Sequence, residues 1–140
     1  MGLTIKQAAE KMNLTVYTLR YYEKEGLLPF VERDHTGNRS FTESDLEWLS
    51  LICCLKNTGM PIKQIKQYIG WCLDGDESLA SRKKMLVEHR QDVLKQINEL
   101  KKNLEKIDYK IAHYENCKGP VVTVAAVAAK EKIITAAANL

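Results

Sequence analysis

The sequence predicts a mainly α-helical fold, in which a small N-terminal domain with a β-hairpin precedes one long helix. Two short helical patterns separated by a tight turn open the chain, and a run of turn-forming residues follows between two extended segments. Apolar residues later recur in alternating steps of four and three over four heptads. The predicted organisation is an N-terminal domain at 1–75, a long helix at 76–117 and a short tail at 118–140.

The composition is that of an ordinary globular protein of modest size. Of its 140 residues, 28% are charged and 45% are hydrophobic, and the net charge is only +3. Binding to nucleic acid must therefore depend on where the charges lie. The N-terminus lacks a signal-peptide pattern, and no uncharged apolar run approaches the length of a membrane span. We expect a cytoplasmic protein with no membrane partner and with four reduced cysteines.

The first two helices form a recognisable pair. Thr4 and Gln7 fit the capping-box pattern, and apolar residues at helical spacing predict a first helix over 5–12. After a turn at Asn13, Thr15 can cap a second helix. Two short helices joined by a tight turn are typical of a helix-turn-helix, whose second helix enters the DNA major groove. This second helix is rich in hydroxyls and tyrosines and carries an arginine, so we interpret it as a DNA recognition helix.

The segment after the second helix predicts a small hairpin. Extended runs at 31–33 and 39–41 flank a tip rich in turn formers. Arg33, Asn38 and Arg39 would project from this hairpin. A solvated loop is the alternative, but a basic hairpin that follows a helix-turn-helix is well placed to contact flanking phosphates as a wing.

Two further helices are expected to complete the N-terminal domain. A third helix opens at Thr42, with acidic residues in its first turn, and it is apolar on most sides. We expect it to form the buried centre of the domain. Pro61 starts a fourth helix, on which Lys63 and Lys66 face outward and can make a second contact with a DNA backbone.

The long helix carries an apolar seam of which only Arg90 is polar. The a and d positions hold Leu86, Arg90, Val93, Ile97, Leu100, Leu104, Ile107, Ile111 and Tyr114. A helix of this length would run roughly 40 Å. Because too little chain remains to cover the seam, we expect a homodimer in which each long helix packs on its twin. Two recognition helices would then read two half-sites of DNA.

Three motifs suggest a family. They are L-R-Y-Y-E-K-E-G-L-L at 19–28, G-N-R-S-F at 37–41 and K-N-T-G-M-P-I at 56–62. With these motifs, residues 3–115 resemble the MerR family of bacterial transcription regulators. The resemblance implies a winged helix-turn-helix domain and a long antiparallel coiled-coil dimerisation helix. It also implies a promoter operator that the regulator bends and untwists so that RNA polymerase engages both promoter elements.

The resemblance also implies which residues contact DNA. Five on the second helix would face the groove or its rims, three would form the first wing, and one would contact phosphate from a second wing: Thr15, Tyr17, Thr18, Arg20, Tyr21, Arg33, Asn38, Arg39 and Lys63. For Tyr22 a core role and a groove role both stay open, because it shares a helical face with Leu19. A core role for Arg20 would bury an unpaired charge.

The signal that this protein senses is less clear from sequence. Metal-sensing members of the family place two or more cysteines near the end of the long helix, whereas no second cysteine follows Cys117. No metal and no cofactor are therefore expected. The thiol-based, aldehyde-responsive branch points to Cys54 on the third helix as the effector-sensing residue. Cys53, about 100° around that helix, is expected in the core.

An inert role for Cys54 stays open. Reactive thiolates are favoured at helix N-termini or beside cations, whereas Cys54 lies near a helix C-terminus. Two other functions also stay open, namely a coiled-coil scaffold with a protein-binding head and a regulator that answers another small molecule or a metal. No enzyme is expected, because no acid, base and nucleophile converge around the three histidines, His35, His89 and His113.

Overall fold

The computed structural model describes residues 2–117 and confirms a mainly helical chain with a small antiparallel hairpin. The elements in chain order are α1 Ile5–Met12, α2 Val16–Lys24, β1 Glu32–Arg33, β2 Arg39–Ser40, α3 Glu43–Asn57, α4 Ile62–Asp74, a 3-10 turn Asp76–Ser78, and α5 Leu79–Glu115. The tail predicted over 118–140 lies outside the described residues. The chain divides between Lys95 and Gln96 into two units, which are described separately. The predicted domain boundary after residue 75 stays a prediction.

Threonine caps start the first three helices. Thr4 and Gln7 make the predicted capping box, in which the Gln7 N–H donates to Thr4 Oγ1 at 3.1 Å. Thr42 and Asp45 make a second box at the start of α3, where the Asp45 N–H donates to Thr42 Oγ1 at 3.0 Å. Asn13, with a φ of 54°, ends α1 in the left-handed conformation. Thr15 caps α2, so both short helices of the predicted helix-turn-helix begin at a threonine.

The core of the first unit lies around α3, as predicted. Leu49 and Ile52 of α3 are fully buried, and they share the core with Leu19 of α2 and Ile65 of α4. Burying each such side chain contributes about 1.5–3 kcal/mol. Tyr22 is only 3% exposed and belongs to this core, which decides between its two predicted roles.

The hairpin is shorter than the sequence indicated, and it has an unforeseen neighbour. Its ladder pairs Glu32 with Ser40 and Arg33 with Arg39 only. The next residue, Phe41, bridges to Leu3 instead: the Leu3 N–H donates to the Phe41 carbonyl at 2.8 Å, and the Phe41 N–H donates back at 2.9 Å. The chain start therefore ties the second strand to the N-terminal end of α1.

Helix α5 has 37 residues and is about 55 Å long, which exceeds the predicted length because it begins at Leu79, before the seam. In the first unit, Met85 and Leu86 pack against the core. From Leu94 onward the apolar side chains are exposed: Leu94, Ile97, Leu100, Leu104, Ile107, Ile111 and Tyr114. Within residues 2–117, none of the helices combines the length and apolar character needed to cross a membrane.

Candidate nucleic-acid interface

Helix α2 turns one face to the core and the other to solvent. Leu19 and Tyr22 are buried, whereas Tyr17 is 81% exposed and Arg20 is also exposed. The 3.6-residue period explains this division, since positions 19 and 22 lie one turn apart on the inner face. The structure therefore leaves Arg20 free of the core, as the predicted groove role requires.

The two predicted hydroxyls of α2 hold the start of the helix. The Thr18 N–H donates to Thr15 Oγ1 at 3.0 Å, and the two hydroxyl oxygens are 2.8 Å apart. Thr15 is exposed and Thr18 is half-buried. One of the two hydroxyl protons lies in the bond between these oxygens, so the pair has one hydroxyl proton left to donate to a phosphate oxygen.

The inner face of α2 is bonded to α3 through Tyr22. Burial, with the neighbouring Cys53 as the next cause, raises the pKa of the Tyr22 hydroxyl to about 12. Burial likewise raises the pKa of the Cys53 thiol, and the Tyr22 hydrogen bond opposes that rise in part. Cys53 is half-buried and packs on the core, as predicted, so both groups stay neutral at pH 7.

A lysine from α3 lies over two tyrosines of α2. Lys56 Nζ is 5.3 Å from the ring centroid of Tyr21 and 5.1 Å from that of Tyr22. Such cation–π contacts contribute about 0.5–1 kcal/mol at exposed sites. Tyr21, predicted to reach DNA, is half-buried here and is partly covered by Lys56.

The tip of the hairpin is organised by Asp34. Its Oδ1 accepts from the Thr36 N–H at 2.9 Å, from the Asn38 N–H at 3.0 Å and from Thr36 Oγ1 at 2.5 Å. These bonds, the Thr36 hydroxyl first, lower the pKa of the Asp34 carboxyl. Gly37 completes the turn with a φ of 85°, a conformation that favours glycine. The tip is therefore preformed.

The two wing arginines both face Glu23 of α2. Arg39 Nη2 pairs with Glu23 Oε1, and Arg33 Nη2 is 3.8 Å from the same oxygen. Arg33 also donates from Nη1 to the Gly37 carbonyl at 2.5 Å. The Arg33 side chain is 55% exposed, whereas that of Arg39 is 23% exposed. Arg33 is thus the more accessible of the two predicted wing cations.

A groove of about 610 Å³ runs between α2 and the hairpin. It brings together four of the predicted DNA-contacting residues, Arg20, Arg33, Asn38 and Arg39. The remaining lining residues are Thr4, Ile5, Glu23, Lys24 and Asp34. Four cations against two carboxylates give this surface a net positive charge, which suits the phosphate backbone of DNA.

The other predicted contact residues lie outside this groove. Lys63 is exposed in the first turn of α4. One turn further on, Lys66 reaches the end of α2, since a Cβ on Gly26 would lie 3.0 Å from Lys66 Cε. Lys66 of α4 therefore lies beside the C-terminal end of α2, and the predicted phosphate contact of Lys63 stays a prediction.

The predicted sensor Cys54 is exposed near the end of α3. Its carbonyl accepts from the Thr58 N–H at 3.1 Å and from Thr58 Oγ1 at 2.7 Å. The same Thr58 hydroxyl is 2.7 Å from His89 Nε2 on α5. The backbone at Cys54 is thus two hydrogen bonds from α5.

Among residues 2–117, no three His, Cys, Asp or Glu side chains are placed to share a metal ion.

Sequence reasoning missed three residues that shape this surface. Glu23 was assigned no role, because its two arginine partners come from strands that only the fold brings near. Lys24 was assigned no role. Asp34 had a readable signal, because Asp followed two residues later by Thr is a common turn pattern in which the carboxylate accepts backbone N–H groups.

A capped helix pair, a basic hairpin beside the second helix and a positive groove between them define a winged helix-turn-helix DNA-binding protein. Residues 3–70 match the MerR HTH family regulatory protein domain, and residues 46–109 match the MerR, DNA binding domain. The chain belongs to the MerR family of transcription regulators and is not an enzyme.

Similar proteins agree with this assignment. An uncharacterised HTH-type transcriptional regulator of Haemophilus influenzae is 48% identical over 118 residues, which cover 84% of this chain and 87% of the relative. The regulator AdhR of Bacillus subtilis is 37% identical over 92 residues, 66% of each chain.

Solved structures give the same result. HiNmlR, described as a MerR family regulator lacking the sensor domain and bound to promoter DNA, has a TM-score of 0.78 and 47% identity over 84% of this chain and 94% of its own. A MerR family regulator from Bacillus thuringiensis has a TM-score of 0.77 and 46% identity over 81% of this chain and 100% of its own.

Proposed function

We propose that this regulator binds as a homodimer to a pseudo-palindromic operator between the two elements of a promoter. There it bends and untwists the DNA so that RNA polymerase engages both elements. The observation that carries the proposal is the positive groove between α2 and the hairpin, which presents Arg20 and the wing side chains on one surface. The similar HiNmlR structure contains promoter DNA, which supports the same use of this surface.

The exposed seam of α5 supports the homodimer. Leu100 is 67% exposed, and Ile107 and Tyr114 are 56% and 55% exposed in the single chain. Leaving such side chains in water forfeits about 1.5–3 kcal/mol each, whereas a second copy would bury them in a two-fold coiled coil. A dimer also places two recognition helices where a palindromic operator needs them.

Footprinting with the wild-type protein tests this proposal. The probe is the best duplex selected from a randomised library, and circular permutation of that duplex measures the bend. We expect protection of two symmetric half-sites, a bend centred between them and a dimer in sedimentation velocity. Protection of a single unsymmetrical site by a monomer would contradict the proposal, and absence of any selected duplex would favour the scaffold function.

We propose further that the protein answers reactive electrophiles, aldehydes among them, through Cys54. The thiol is exposed, so an electrophile can reach it. The support for signal transfer is the path from its backbone through Thr58 to His89. A covalent adduct in the last turn of α3 would change the position of the Cys54 carbonyl, and the hydrogen-bonded Thr58 would carry that change to α5.

Transcription in vitro with Cys54→Ser tests the sensing step. We expect the variant to bind the selected duplex with unchanged affinity and to lose activation by an added aldehyde, because the hydroxyl is a far weaker nucleophile than the thiol. The matched control is Cys117→Ser, which removes the other exposed thiol among residues 2–117 and should respond like the wild type. Equal activation of both variants would exclude Cys54 as the sensor.

A further inference from the structure

Glu23 is the one acidic side chain of the recognition helix α2. We propose that it is a positioning residue, which fixes the wing against the recognition helix and thereby sets the spacing between the two elements that contact DNA. This inference rests on the proposed operator recognition and adds a residue to it. In this assignment Arg39 holds the wing in place, and Arg33 remains the wing cation that is available to a phosphate.

The contacts of Glu23 reach both strands of the hairpin. Its Oε1 pairs with Arg39 on β2 and lies 3.8 Å from Arg33 Nη2 on β1. The side chains of Glu23 and Arg39 are 28% and 23% exposed, which is less than the 55% of Arg33. A carboxylate between two guanidinium groups is favourably compensated, and partial exclusion of water strengthens the attraction.

Arg39 depends on this carboxylate. Its Nε is buried and has no acceptor among the described residues, so Glu23 is the group that compensates the guanidinium charge there. Removing one partner of a partly buried pair leaves the other charge desolvated and unpaired. Without Glu23, the Arg39 side chain should leave its place beside α2 and turn toward solvent or toward a DNA phosphate.

The hairpin needs such an attachment because it is small. Its ladder consists of two residue pairs, and an isolated two-stranded hairpin is marginally stable in water. Three further contacts hold it: the Asp34 bonds organise its tip, the bridge between Leu3 and Phe41 anchors the strand end, and the Glu23 pairs tie its middle to α2. Of these three, the Glu23 pairs are the ones that reach α2, and they add a polar link to the apolar packing of the flanking Val31 and Phe41, which share a core with Leu19 and Tyr22.

A purely electrostatic role for Glu23 predicts something different. A carboxylate beside a DNA-binding groove repels phosphates, so its removal would raise the affinity for every duplex by the same factor. A positioning role predicts a loss of discrimination, because a displaced wing no longer holds the recognition helix in register with the bases. The ratio of the affinity for the selected duplex to the affinity for a scrambled duplex therefore distinguishes the positioning role from the electrostatic role.

The test compares Glu23→Gln with the matched control Glu25→Gln, which removes the same charge two residues away. Glu25 forms no ion pair within residues 2–117. Affinities are measured in full-length protein for the selected duplex and for a scrambled duplex of equal composition, over a range of salt concentrations. For Glu23→Gln we expect the affinity ratio to fall about tenfold, the loss that one unread base pair causes.

The salt dependence gives a second readout. An Arg39 released from Glu23 becomes available to a phosphate, so the log–log salt slope should steepen by about one in Glu23→Gln. In Glu25→Gln the affinity ratio should match that of the wild type. The double variant Glu23→Arg with Arg39→Glu reverses the ion pair, and we expect it to recover part of the ratio that Glu23→Arg alone loses.

If Glu23→Gln and Glu25→Gln have the same ratio of selected to scrambled affinity, the positioning role is wrong. Glu23 would then affect DNA binding only through repulsion of phosphates. Circular dichroism checks the fold first. If Glu23→Gln unfolds, the two charge-reversal variants decide, because failure of the double variant to improve on Glu23→Arg would also overturn the inference. A wild-type protein that does not distinguish the two duplexes would instead contradict the proposed operator recognition.

Discussion

The two units of this chain differ in the burial of their apolar residues. In the first unit, Leu19, Leu49 and Ile65 are fully buried around α3. In the second unit, Leu100 is 67% exposed and Ile107 is 56% exposed, although both recur with the regularity of a packed seam. The first unit thus buries its apolar pattern in a core, whereas the apolar pattern of the second unit stays exposed among the described residues.

This contrast separates folding from assembly. The helix-turn-helix unit has caps, a core and a hairpin that is tied to Leu3 and to Glu23, so its stability arises from contacts within the chain. The exposed part of α5 has a helical sequence pattern but no comparable core of its own among the described residues. Long helices gain most of their stability from packing of an apolar face, and the proposed homodimer would supply that packing here.

The sharpest test of the contrast replaces one leucine in each unit. Leu49→Ala should lower the free energy of unfolding by about 2–5 kcal/mol, because it leaves a cavity in a close-packed core. Leu100→Ala should change the stability of the first unit by less than about 0.5 kcal/mol and should weaken self-association instead. Urea unfolding followed by tryptophan fluorescence measures this, since Trp48 and Trp71 both belong to the first unit.

Sedimentation velocity at several protein concentrations completes the test. Leu100→Ala should show a larger monomer fraction than the wild type at each concentration. Asn98→Ala, an outward position on the same helix, serves as control and should sediment like the wild type. Similar loss of first-unit stability in Leu49→Ala and Leu100→Ala would remove the distinction between the two units.

A second test asks whether base reading belongs to the first unit alone. Arg20→Ala should weaken binding to the selected duplex by about 1–3 kcal/mol and relax discrimination at one base pair in each half-site. Lys24→Ala, from the same groove, should weaken binding to all duplexes about equally and reduce the salt slope by about one. Binding to a panel of single-base variants measures both.

The assignment of base reading to Arg20 and of a phosphate contact to Lys24 would be wrong if Lys24→Ala lost discrimination between bases and Arg20→Ala did not.

The Leu100→Ala variant extends the comparison to the second unit. It should lower affinity without changing the preferred base at any position, because assembly sets how many half-sites are read and not which bases are chosen.

The smallest effect concerns the wing tip. The pKa of Asp34 is lowered in the folded protein, so the tip gains stability above the usual Asp pKa and loses it as the pH falls through the lowered value. Acidification should therefore release the Thr36 and Asn38 amides only after the pH has fallen below the ordinary Asp pKa and through this lowered value. Amide NMR shifts against pH measure this release, and Asp34→Asn should remove the pH dependence at those amides.

Local patterns in the sequence predicted most of the fold. Thr4 with Gln7, Thr15 and Thr42 marked three helix starts correctly, because a cap is read from a few neighbouring residues. The burial of α3 followed from its apolar surface on most sides. The regular apolar spacing of α5 was visible in the sequence as well. Its residues from Ile97 onward are exposed, whereas Leu86, assigned to the same seam, packs against the core of the first unit.

What the sequence could not show depends on residues far apart in the chain. The bridge between Leu3 and Phe41 joins positions that no local pattern relates. Glu23 and Arg39 read as an ordinary acid and a predicted phosphate contact, and only the fold reveals them as a pair. The core role of Tyr22 likewise needed the position of α3, because helical spacing alone fitted both of its candidate roles.

Gly26 affects the electrostatic potential at the C-terminal end of α2. Its φ of 79° and its missing side chain leave room for Lys66, whose Nζ lies 3.2 Å from the place a Cβ would take. The C-terminal end of a helix carries about half a negative charge, which an adjacent cation neutralises. Glycine at this position therefore lets Lys66 reduce the negative potential at the end of α2, which a DNA phosphate passing there would otherwise meet.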